Sequence, residues 1–334
     1  MHLPKFEYLR PSSVGEACRL LKKHGPQARL AAGGTDLFPR MKYGLESPEV
    51  VISLKDVPVS SPKITDDDEL HLDALMTLAD VALSPMVLER AIILAEAALH
   101  VGSNQIRHMG TLGGNLCLET RCTYYNQRHT FQYVEPCFKR NGHRCYLLPK
   151  GKKCQAVFMG DTVPALMCLD AKVKIMSTRN NRQLPVEKLY SGNSLRPVRL
   201  SDDEIVTDVI IPNAASLRGT GFKKFSSRGG LEFAALTVAA LLDMVDNGKT
   251  CATARIVLGS ISARPIRALK AEAALSGQRL SDKLLQDAAH EVAAEVRPVM
   301  HHGYSVPFLK ECLRVQSLRT LTLAANRINQ KQHD

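Results

Sequence analysis

The chain reads Gln105-Ile-Arg-His-Met-Gly-Thr-Leu-Gly-Gly-Asn115 directly after a strongly apolar stretch that predicts a helix over 85–100. A second glycine-rich segment, Leu30-Ala-Ala-Gly-Gly-Thr-Asp-Leu37, lies earlier and also follows a short apolar run. Glycine has no side chain, so successive backbone N–H groups in such loops can form a nest for a phosphate. Neither loop has the G-x-G-x-x-G or P-loop spacing. Each one alone is also typical of an ordinary turn.

On either side of these loops, the spacing of apolar and turn-forming residues predicts compact domains of mixed α and β structure. Before residue 57, a helix after Ser13 and two strands at 28–32 and 50–54 predict a small α/β unit. Strand-like runs at 166–176 and 205–212 predict a second unit. The turn-rich segment 216–230 predicts a boundary, and an α+β domain follows, with a strand at 254–258 and helices over 265–276, 281–296 and 305–327.

The 334 residues are enough for two or three domains. The first ten residues lack the apolar core of a signal peptide, and no apolar run approaches the roughly 18–20 residues that span a bilayer. A cytoplasmic protein without a membrane partner is therefore expected. Disulfides rarely persist in that compartment, so the nine cysteines indicate either core packing or metal chemistry.

Four cysteines lie in a segment, 121–158, that breaks the apolar rhythm and looks like an insertion: Cys122, Cys137, Cys145 and Cys154. Their C-x14-C-x7-C-x8-C spacing lacks the close pairs of structural zinc sites, whereas iron–sulfur ligation tolerates looser loops. From spacing alone, an iron–sulfur cluster, a zinc ion and unligated thiols all remain open. The other cysteines have apolar neighbours and predict small core residues: Cys18, Cys117, Cys168, Cys251 and Cys312.

The positive charge is concentrated in the same insertion. The chain has a net charge of +11, and residues 121–154 contribute +7 of it. This concentration argues against a general nucleic-acid-binding chain, although a solvated basic loop is equally compatible with it. The basic residues are Arg121, Arg128, Lys139, Arg140, Arg144, Lys150, Lys152 and Lys153, against the single acid Glu135. Six aromatic residues predict either a dry metal site or a small satellite core: Tyr124, Tyr125, Phe131, Tyr133, Phe138 and Tyr146.

Taken together, these motifs resemble the FAD subunits and FAD domains of the xanthine dehydrogenase and carbon monoxide dehydrogenase family. The resemblance covers essentially the whole chain and includes both loops, 160–166, 205–212 and Phe222-Lys223. It implies an α+β fold: a vanillyl-alcohol-oxidase-type (PCMH) FAD-binding domain in two α/β subdomains, followed by an α+β domain of the CO dehydrogenase flavoprotein type. The implied domains are 1–215, divided near residue 57 into subdomains of about 1–57 and 58–215, and 216–334.

The resemblance also implies positions for FAD. Asp161 should bind a polar group of the flavin, Val101 and Val206 should make apolar contacts, and Lys223 should lie near the isoalloxazine ring. Glu232 stands where the family has an aspartate, which leaves its role open. The residues expected along the pyrophosphate and ribityl chain are Leu30, Ala31, Ala32, Gly33, Gly34, Thr35, Asp36, Leu37, Thr111, Leu112, Gly113, Gly114 and Asn115.

One branch of the family, the 4-hydroxybenzoyl-CoA reductases, has a similar insertion, and Thr120-Arg-Cys-Thr-Tyr-Tyr-Asn-Gln127 and the later cysteines match it in order. This likeness implies a 4Fe-4S cluster bound by Cys122, Cys137, Cys145 and Cys154. It further implies an electron-transfer subunit with no catalytic side chain of its own. Its expected partners are a large molybdopterin subunit, a small 2Fe-2S subunit and a ferredoxin-like donor, in a dimer of heterotrimers.

The implied reaction is the anaerobic, reductive removal of a phenolic hydroxyl from an aromatic CoA thioester, carried out on the large partner. Three alternatives stay open. The chain could serve a molybdenum hydroxylase with another substrate, act as a stand-alone flavin oxidoreductase, or be a zinc-stabilised interaction subunit with a vestigial flavin site.

Overall fold

The computed structural model describes residues 2–126, 135–213 and 217–331. The N-terminal unit is a parallel sheet with strand order β1-β3-β2. Helix α1 begins where the Ser13 hydroxyl accepts a hydrogen bond from Glu16 N at 3.2 Å, and it ends at Gly25, whose φ is 53°. This unit confirms the predicted α/β pattern, with elements β1 Glu7–Leu9, α1 Val14–His24, β2 Ala28–Ala31, α2 Leu37–Lys42 and β3 Val50–Ser53.

The second unit is built on an antiparallel sheet of order β4-β5-β8-β6-β7. Its elements are β4 Lys63–Ile64, β5 Leu70–Asp73, α3 Leu78–Leu83, α4 Pro85–Arg90, α5 Ile92–Leu99, α6 Asn104–Arg107, α7 Leu112–Leu116, α8 Thr162–Cys168, β6 Lys172–Met176, β7 Asn181–Pro185 and β8 Ile205–Ile211.

Two predictions in this unit were wrong. The helix over 85–100 is interrupted at Ala91, where φ is −148°, so it forms α4 and α5. The run at 166–176 is the end of helix α8 followed by β6, rather than one strand. Every residue of α8 is buried, so the segment has no polar face. The spacing of its apolar residues therefore cannot distinguish a helix from a strand.

The third unit is an antiparallel sheet of order β12-β11-β10-β9 with β13 paired to β11, covered on one face by three helices. Its elements are β9 Leu217–Phe225, β10 Leu236–Val245, β11 Thr250–Gly259, β12 Ile266–Arg267, α9 Leu269–Leu275, β13 Gln278–Arg279, α10 Asp282–Glu295 and α11 Val306–Lys331.

Strand β9 replaces most of the turn-rich boundary predicted at 216–230. The glycines of β9 do not form a turn; they leave room for the backbone of helix α11 to pack against the strand. A Cβ at Gly219 would lie 2.1 Å from Ala324 O, and one at Gly221 would lie 2.4 Å from Thr320 O. Glycine inside a strand here marks a close backbone approach. Among the described residues, no helix, including the 26-residue α11, is long and apolar enough to cross a membrane.

The third sheet is buried on both faces. Val238, Ala240 and Leu242 of β10 face the C-terminal helices, while Ala239 and Leu241 belong to the core of the second unit. Alternation along a strand directs these two sets to opposite sides. The predicted α+β architecture is confirmed, and the shared core fixes the third sheet against the unit that carries the second glycine loop. The predicted division at residue 215 lies outside the described residues.

Candidate cofactor site

A cavity of about 540 Å³ opens where the three units meet. It is lined by the loop after β2, the start of α7, the start of β8 and the β9–β10 loop. This volume falls within the range of roughly 300–1,000 Å³ that is typical of pockets for organic ligands. Its wall is largely apolar, with charged side chains that include Asp36, Arg121 and Asp161. The site can therefore hold a large ligand that has both apolar and charged parts.

The two glycine loops touch each other backbone to backbone. A Cβ at Gly33 would lie 1.7 Å from Met109 O and 2.9 Å from Gly110 Cα, which no side chain tolerates. Gly34 has a φ of +68°, and a Cβ there would meet the Phe38 ring at 2.4 Å. These glycines therefore join the two loops into one wall as well as leaving the backbone accessible from the cavity.

A buried ion pair forms another part of the wall. Asp161 Oδ2 lies 2.8 Å from Lys224 Nζ, and the two side chains are only 4% and 5% exposed. Lys224 also donates to the carbonyls of His100 at 2.8 Å and Glu232 at 3.1 Å. Burial raises the pKa of Asp161, and the nearby Lys224 lowers it in part. Within the described part of the chain, Asp161 Oδ1 is buried without a hydrogen-bond partner, so it can accept from a ligand N–H or O–H.

Asn115 positions this carboxylate through the next helix. Its Oδ1 accepts from Thr162 N at 3.2 Å and from Thr162 Oγ1 at 2.7 Å, which anchors the start of α8 beside Asp161. Asn115, which was predicted to lie along the pyrophosphate and ribityl chain, thus lines the cavity and also organises it.

Arginine side chains surround the first loop. Asp36 forms an ion pair with Arg121 and lies 3.8 Å from Arg40 Nη1, and Arg29 lines the same region. Burial lowers the pKa of Arg121 to about 10, so the guanidinium stays protonated at neutral pH. Guanidinium groups next to an exposed glycine backbone suit a phosphate-containing ligand.

Most residues predicted to contact FAD line this cavity, with two exceptions. Leu112 is fully buried in the core of the second unit, because it opens α7 facing inward. Lys223 does not line the cavity. Phe222 lies in the core shared with the second unit and Lys224 binds Asp161, so strand alternation directs Lys223 to the opposite face, where its cross-strand neighbour is Val238.

Several cavity residues had no signal in the sequence pattern. Examples are Arg29, Arg40, Arg121, Met159 and Phe233. Arg121 was predicted only as part of the insertion charge. Glu232 lines the cavity, and a hydrogen bond from the Arg228 N–H lowers the pKa of its carboxyl group.

The insertion begins and ends at one backbone bridge. Arg121 N donates to Val157 O at 2.7 Å, and Val157 N donates to Arg121 O at 2.8 Å, which brings the chain at Cys122 close to the chain after Cys154. Cys137 and Cys145 are buried, and a turn closed by Phe138 N to Arg144 O at 2.9 Å holds them together. The sequence separates these cysteines widely, whereas the fold brings them near one another.

The four thiols interact electrostatically. Burial raises the pKa of Cys122, and Cys154 and Cys145 raise it further. Burial likewise raises the pKa of Cys154, Lys139 lowers it, and Cys145 and Cys137 raise it. In the described ranges, no three His, Cys, Asp or Glu side chains are grouped to hold a metal ion. The thiols are therefore neighbours, but they do not form a preassembled single-ion site.

The basic residues of the insertion divide into an inner and an outer set. Lys139 points inward: its side chain is 6% exposed and donates to Glu119 at 2.8 Å, Thr120 Oγ1 at 2.5 Å and Ser194 O at 3.0 Å. Arg144 is exposed and pairs with Glu135 at 2.8 Å. The outer set is Lys150, Lys152 and Lys153, all exposed on the approach to Cys154. Arg128, Phe131 and Tyr133 lie outside the described residues.

Of the insertion aromatics, Tyr125 packs inward. Its ring is 6% exposed, lies 5.2 Å from Lys139 Nζ, and carries a hydroxyl that donates to Leu45 O at 3.4 Å. The Tyr124 and Tyr146 rings are 5.8 Å apart. These contacts show a small packed core that ties the insertion to the N-terminal unit.

The cavity and fold thus define a chain that binds a large, partly anionic organic cofactor. Residues 4–214 match the FAD binding domain in molybdopterin dehydrogenase, and residues 221–321 match the CO dehydrogenase flavoprotein C-terminal domain. The first match covers more than half of the chain, so this protein belongs to the family of FAD-binding subunits of molybdopterin-dependent dehydrogenases. The predicted family and the predicted flavin cofactor are confirmed at this level.

Individual relatives agree with this assignment. The chain is 27% identical to the 6-hydroxypseudooxynicotine dehydrogenase complex subunit alpha of Paenarthrobacter nicotinovorans, over 98% of this chain and 97% of the relative. It is 27% identical to the nicotinate dehydrogenase FAD-subunit of Eubacterium barkeri, over 96% and 99%. A solved structure of carbon monoxide dehydrogenase from Hydrogenophaga pseudoflava contains a chain with the same fold, with a TM-score of 0.80 and 24% identity over 98% of this chain and 99% of that one.

Proposed function

We propose that the chain is an electron-transfer subunit that binds FAD in the cavity and a 4Fe-4S cluster on Cys122, Cys137, Cys145 and Cys154. The cavity between the two glycine loops is the observation that carries the flavin proposal. When bound, FAD supplies exchange between one- and two-electron transfer, and the cluster supplies one-electron transfer. The partners in this proposal are a large molybdopterin subunit and a small 2Fe-2S subunit, in a cytoplasmic dimer of heterotrimers.

The chain's own residues would bind and orient the flavin. The residues from Leu30 to Leu37, together with Thr111 and Gly113 to Asn115, present backbone and small side chains. The guanidinium groups of Arg40, paired with Glu46, and of Arg121, paired with Asp36, line the same wall. Asp161 offers an unpartnered acceptor, and Val101 and Val206 offer apolar contact. Lys224 replaces Lys223 in this proposal, because its Nζ lies 2.8 Å from Asp161 Oδ2 at the cavity wall. No side chain is assigned an acid–base or nucleophilic role.

The cluster proposal rests on the insertion, since the matched family description names FAD and no cluster. Each thiolate of a 4Fe-4S cluster binds a different iron, so its ligands stand farther apart than those of one ion. Cys154 and Cys145 raise the pKa of Cys122, and Cys145 and Cys137 raise that of Cys154, so the thiols lie near one another without grouping around a single ion, which favours a cluster over zinc. Lys139, buried and close enough to affect Cys154, would offset part of the charge of an anionic cluster.

The test of the cluster is metal and sulfide analysis of anaerobically purified chain. We expect about four iron atoms per chain, together with bound flavin. Cys145→Ser should lose most of this iron, whereas Cys312→Ser, a control in α11, should keep it. Zinc in place of iron would rule out the cluster, and absence of flavin absorbance would separately rule out FAD binding.

The exposed lysines at 150, 152 and 153 favour an acidic, ferredoxin-like donor docking beside Cys154. We expect the double variant Lys152→Glu/Lys153→Glu to be reduced by an acidic ferredoxin roughly tenfold more slowly at low ionic strength. Stopped-flow measurement should show the difference shrinking at high salt, because surface charge is screened. Lys283→Glu, a single charge reversal at an exposed position on α10, is the control for an effect of surface charge away from the insertion. An unchanged rate in the double variant would place the donor elsewhere.

For the substrate, the insertion favours reductive dehydroxylation of an aromatic CoA thioester, as in 4-hydroxybenzoyl-CoA reductases. The names of the relatives favour a second candidate, the same subunit role in a hydroxylase for another substrate, such as an N-heterocycle. Activity assays of the whole complex with an aromatic CoA thioester and with nicotinate distinguish the two, because the substrate site lies on the large partner.

A further inference from the structure

Arg121 belongs to both proposed sites. Its backbone forms the bridge with Val157 that closes the insertion, and Cys122 follows it directly. Its side chain leaves the insertion and lines the flavin cavity. One residue therefore has its main chain in the cysteine segment and its guanidinium in the cofactor wall.

The guanidinium connects two separate parts of that wall. It forms an ion pair with Asp36, in the first glycine loop, and its Cζ lies 4.3 Å from the centroid of the Phe233 ring, in the β9–β10 loop. Its Nε is buried and has no hydrogen-bond partner among the residues described. Asp36 in turn lies 3.8 Å from Arg40, which is 6% exposed.

A second contact joins the insertion to the same wall. Lys139, two residues after Cys137, binds Glu119, which lines the cavity two residues before Arg121. The insertion thus holds the segment 119–121 both at the Arg121–Val157 bridge and through Lys139. Any ligand that draws the four cysteines together restricts this segment, and with it the position of the Arg121 guanidinium.

We propose that Arg121 is a positioning residue that couples occupation of the four-cysteine site to the affinity of the cavity for FAD. The proposal rests on the function above. Binding of the cluster at the cysteines orders the Arg121–Val157 bridge, and Arg121 then holds Asp36 and Phe233 in place before the flavin binds. Because these side chains are already ordered, the cavity loses less conformational freedom when FAD binds. The coupling is reciprocal: bound FAD strengthens retention of the cluster by the same factor.

The test compares FAD dissociation constants of the full chain with and without iron, measured anaerobically by flavin fluorescence. In the wild-type chain we expect iron to tighten FAD binding about tenfold, a usual size for coupling between sites. In Arg121→Met, the ratio of the FAD dissociation constant without iron to that with iron should fall to about one. Arg121→Lys, a milder variant, keeps the charge but lacks the planar fork for Asp36 and should lose most of the ratio as well.

This ratio distinguishes a positioning role from a general loss of FAD affinity, because the iron-loaded and iron-free forms of a variant carry the same substitution. Bound FAD should also reduce the amount of iron lost to a chelator in the wild type but not in Arg121→Met. The control Arg144→Met removes an exposed arginine of the same insertion and should keep the wild-type ratio.

Three results would overturn the coupling alone. They are equal FAD affinities in loaded and iron-free wild type, a tenfold ratio that persists in Arg121→Met, and a ratio lost in Arg144→Met, since the effect would then not belong to Arg121. A wild-type chain that takes up no iron after reconstitution contradicts the cluster itself and, with it, this inference.

Discussion

Gly33→Ala is expected to abolish FAD binding and to destabilise the chain by roughly 3 kcal/mol or more. The added Cβ would lie 1.7 Å from Met109 O, a backbone atom that cannot rotate away. The two glycine loops would have to separate, and both line the cavity. Urea unfolding measures the stability change, and a flavin titration measures the lost affinity.

Gly15→Ala is the matched control for this substitution. Gly15 lies in helix α1, and the nearest atom to an added Cβ is the end of the Arg19 side chain at 3.9 Å. Alanine is favoured over glycine inside a helix by about 0.5–1 kcal/mol, so this variant should be slightly more stable and bind FAD normally. Normal flavin affinity in Gly33→Ala would contradict the close backbone contact between the two loops.

Lys224→Met is expected to lower the free energy of unfolding by about 3–5 kcal/mol, because it leaves the Asp161 carboxylate buried without its partner. Chemical denaturation at neutral pH measures this loss. Lys223→Met is the matched control, since its side chain points to the other face of β9. A Lys224→Met variant no less stable than Lys223→Met would refute the role of the ion pair.

The same variant has a defined pH dependence. Burial already raises the pKa of Asp161 in the folded chain, and loss of Lys224 removes the main opposing effect. An acidic group whose pKa is higher in the folded chain than in the unfolded chain makes the folded chain less stable as the pH rises from the unfolded pKa through the folded pKa. The penalty of Lys224→Met should therefore shrink as the pH is lowered towards the ordinary aspartate range. Adding Asp161→Asn should recover part of the stability, because the buried charge is then absent.

The shared core explains why these substitutions act on the site as well as on stability. Phe222 and Leu241 of the third sheet pack into the core of the second unit, which also contains Leu112 of α7. The glycine loop that precedes α7 and the strand that carries Lys224 are therefore held by one hydrophobic cluster. Movement of the third sheet would displace both walls of the cavity.

The amino-acid sequence alone determined the features that local patterns encode. Amphipathic spacing and a serine cap predicted α1, and β-branched runs predicted β3 and β8. The glycine-rich loops and the cysteine-rich insertion were evident as motifs, since their residue types carry chemistry that ordinary turns do not need. These features led to the correct family and to FAD.

The tertiary structure decided which side chains meet across long separations. Lys224 rather than Lys223 reaches Asp161, because strand pairing sets which face each residue of β9 takes. Arg121 reaches Asp36, 85 residues earlier in the chain, because the bridge to Val157 directs it out of the insertion. Position 33 must be glycine because Met109 O leaves no room for a Cβ, and the sequence around Gly33 gives no sign of this contact. Periodicity reports the environment of a segment, whereas these contacts depend on how separate segments pack.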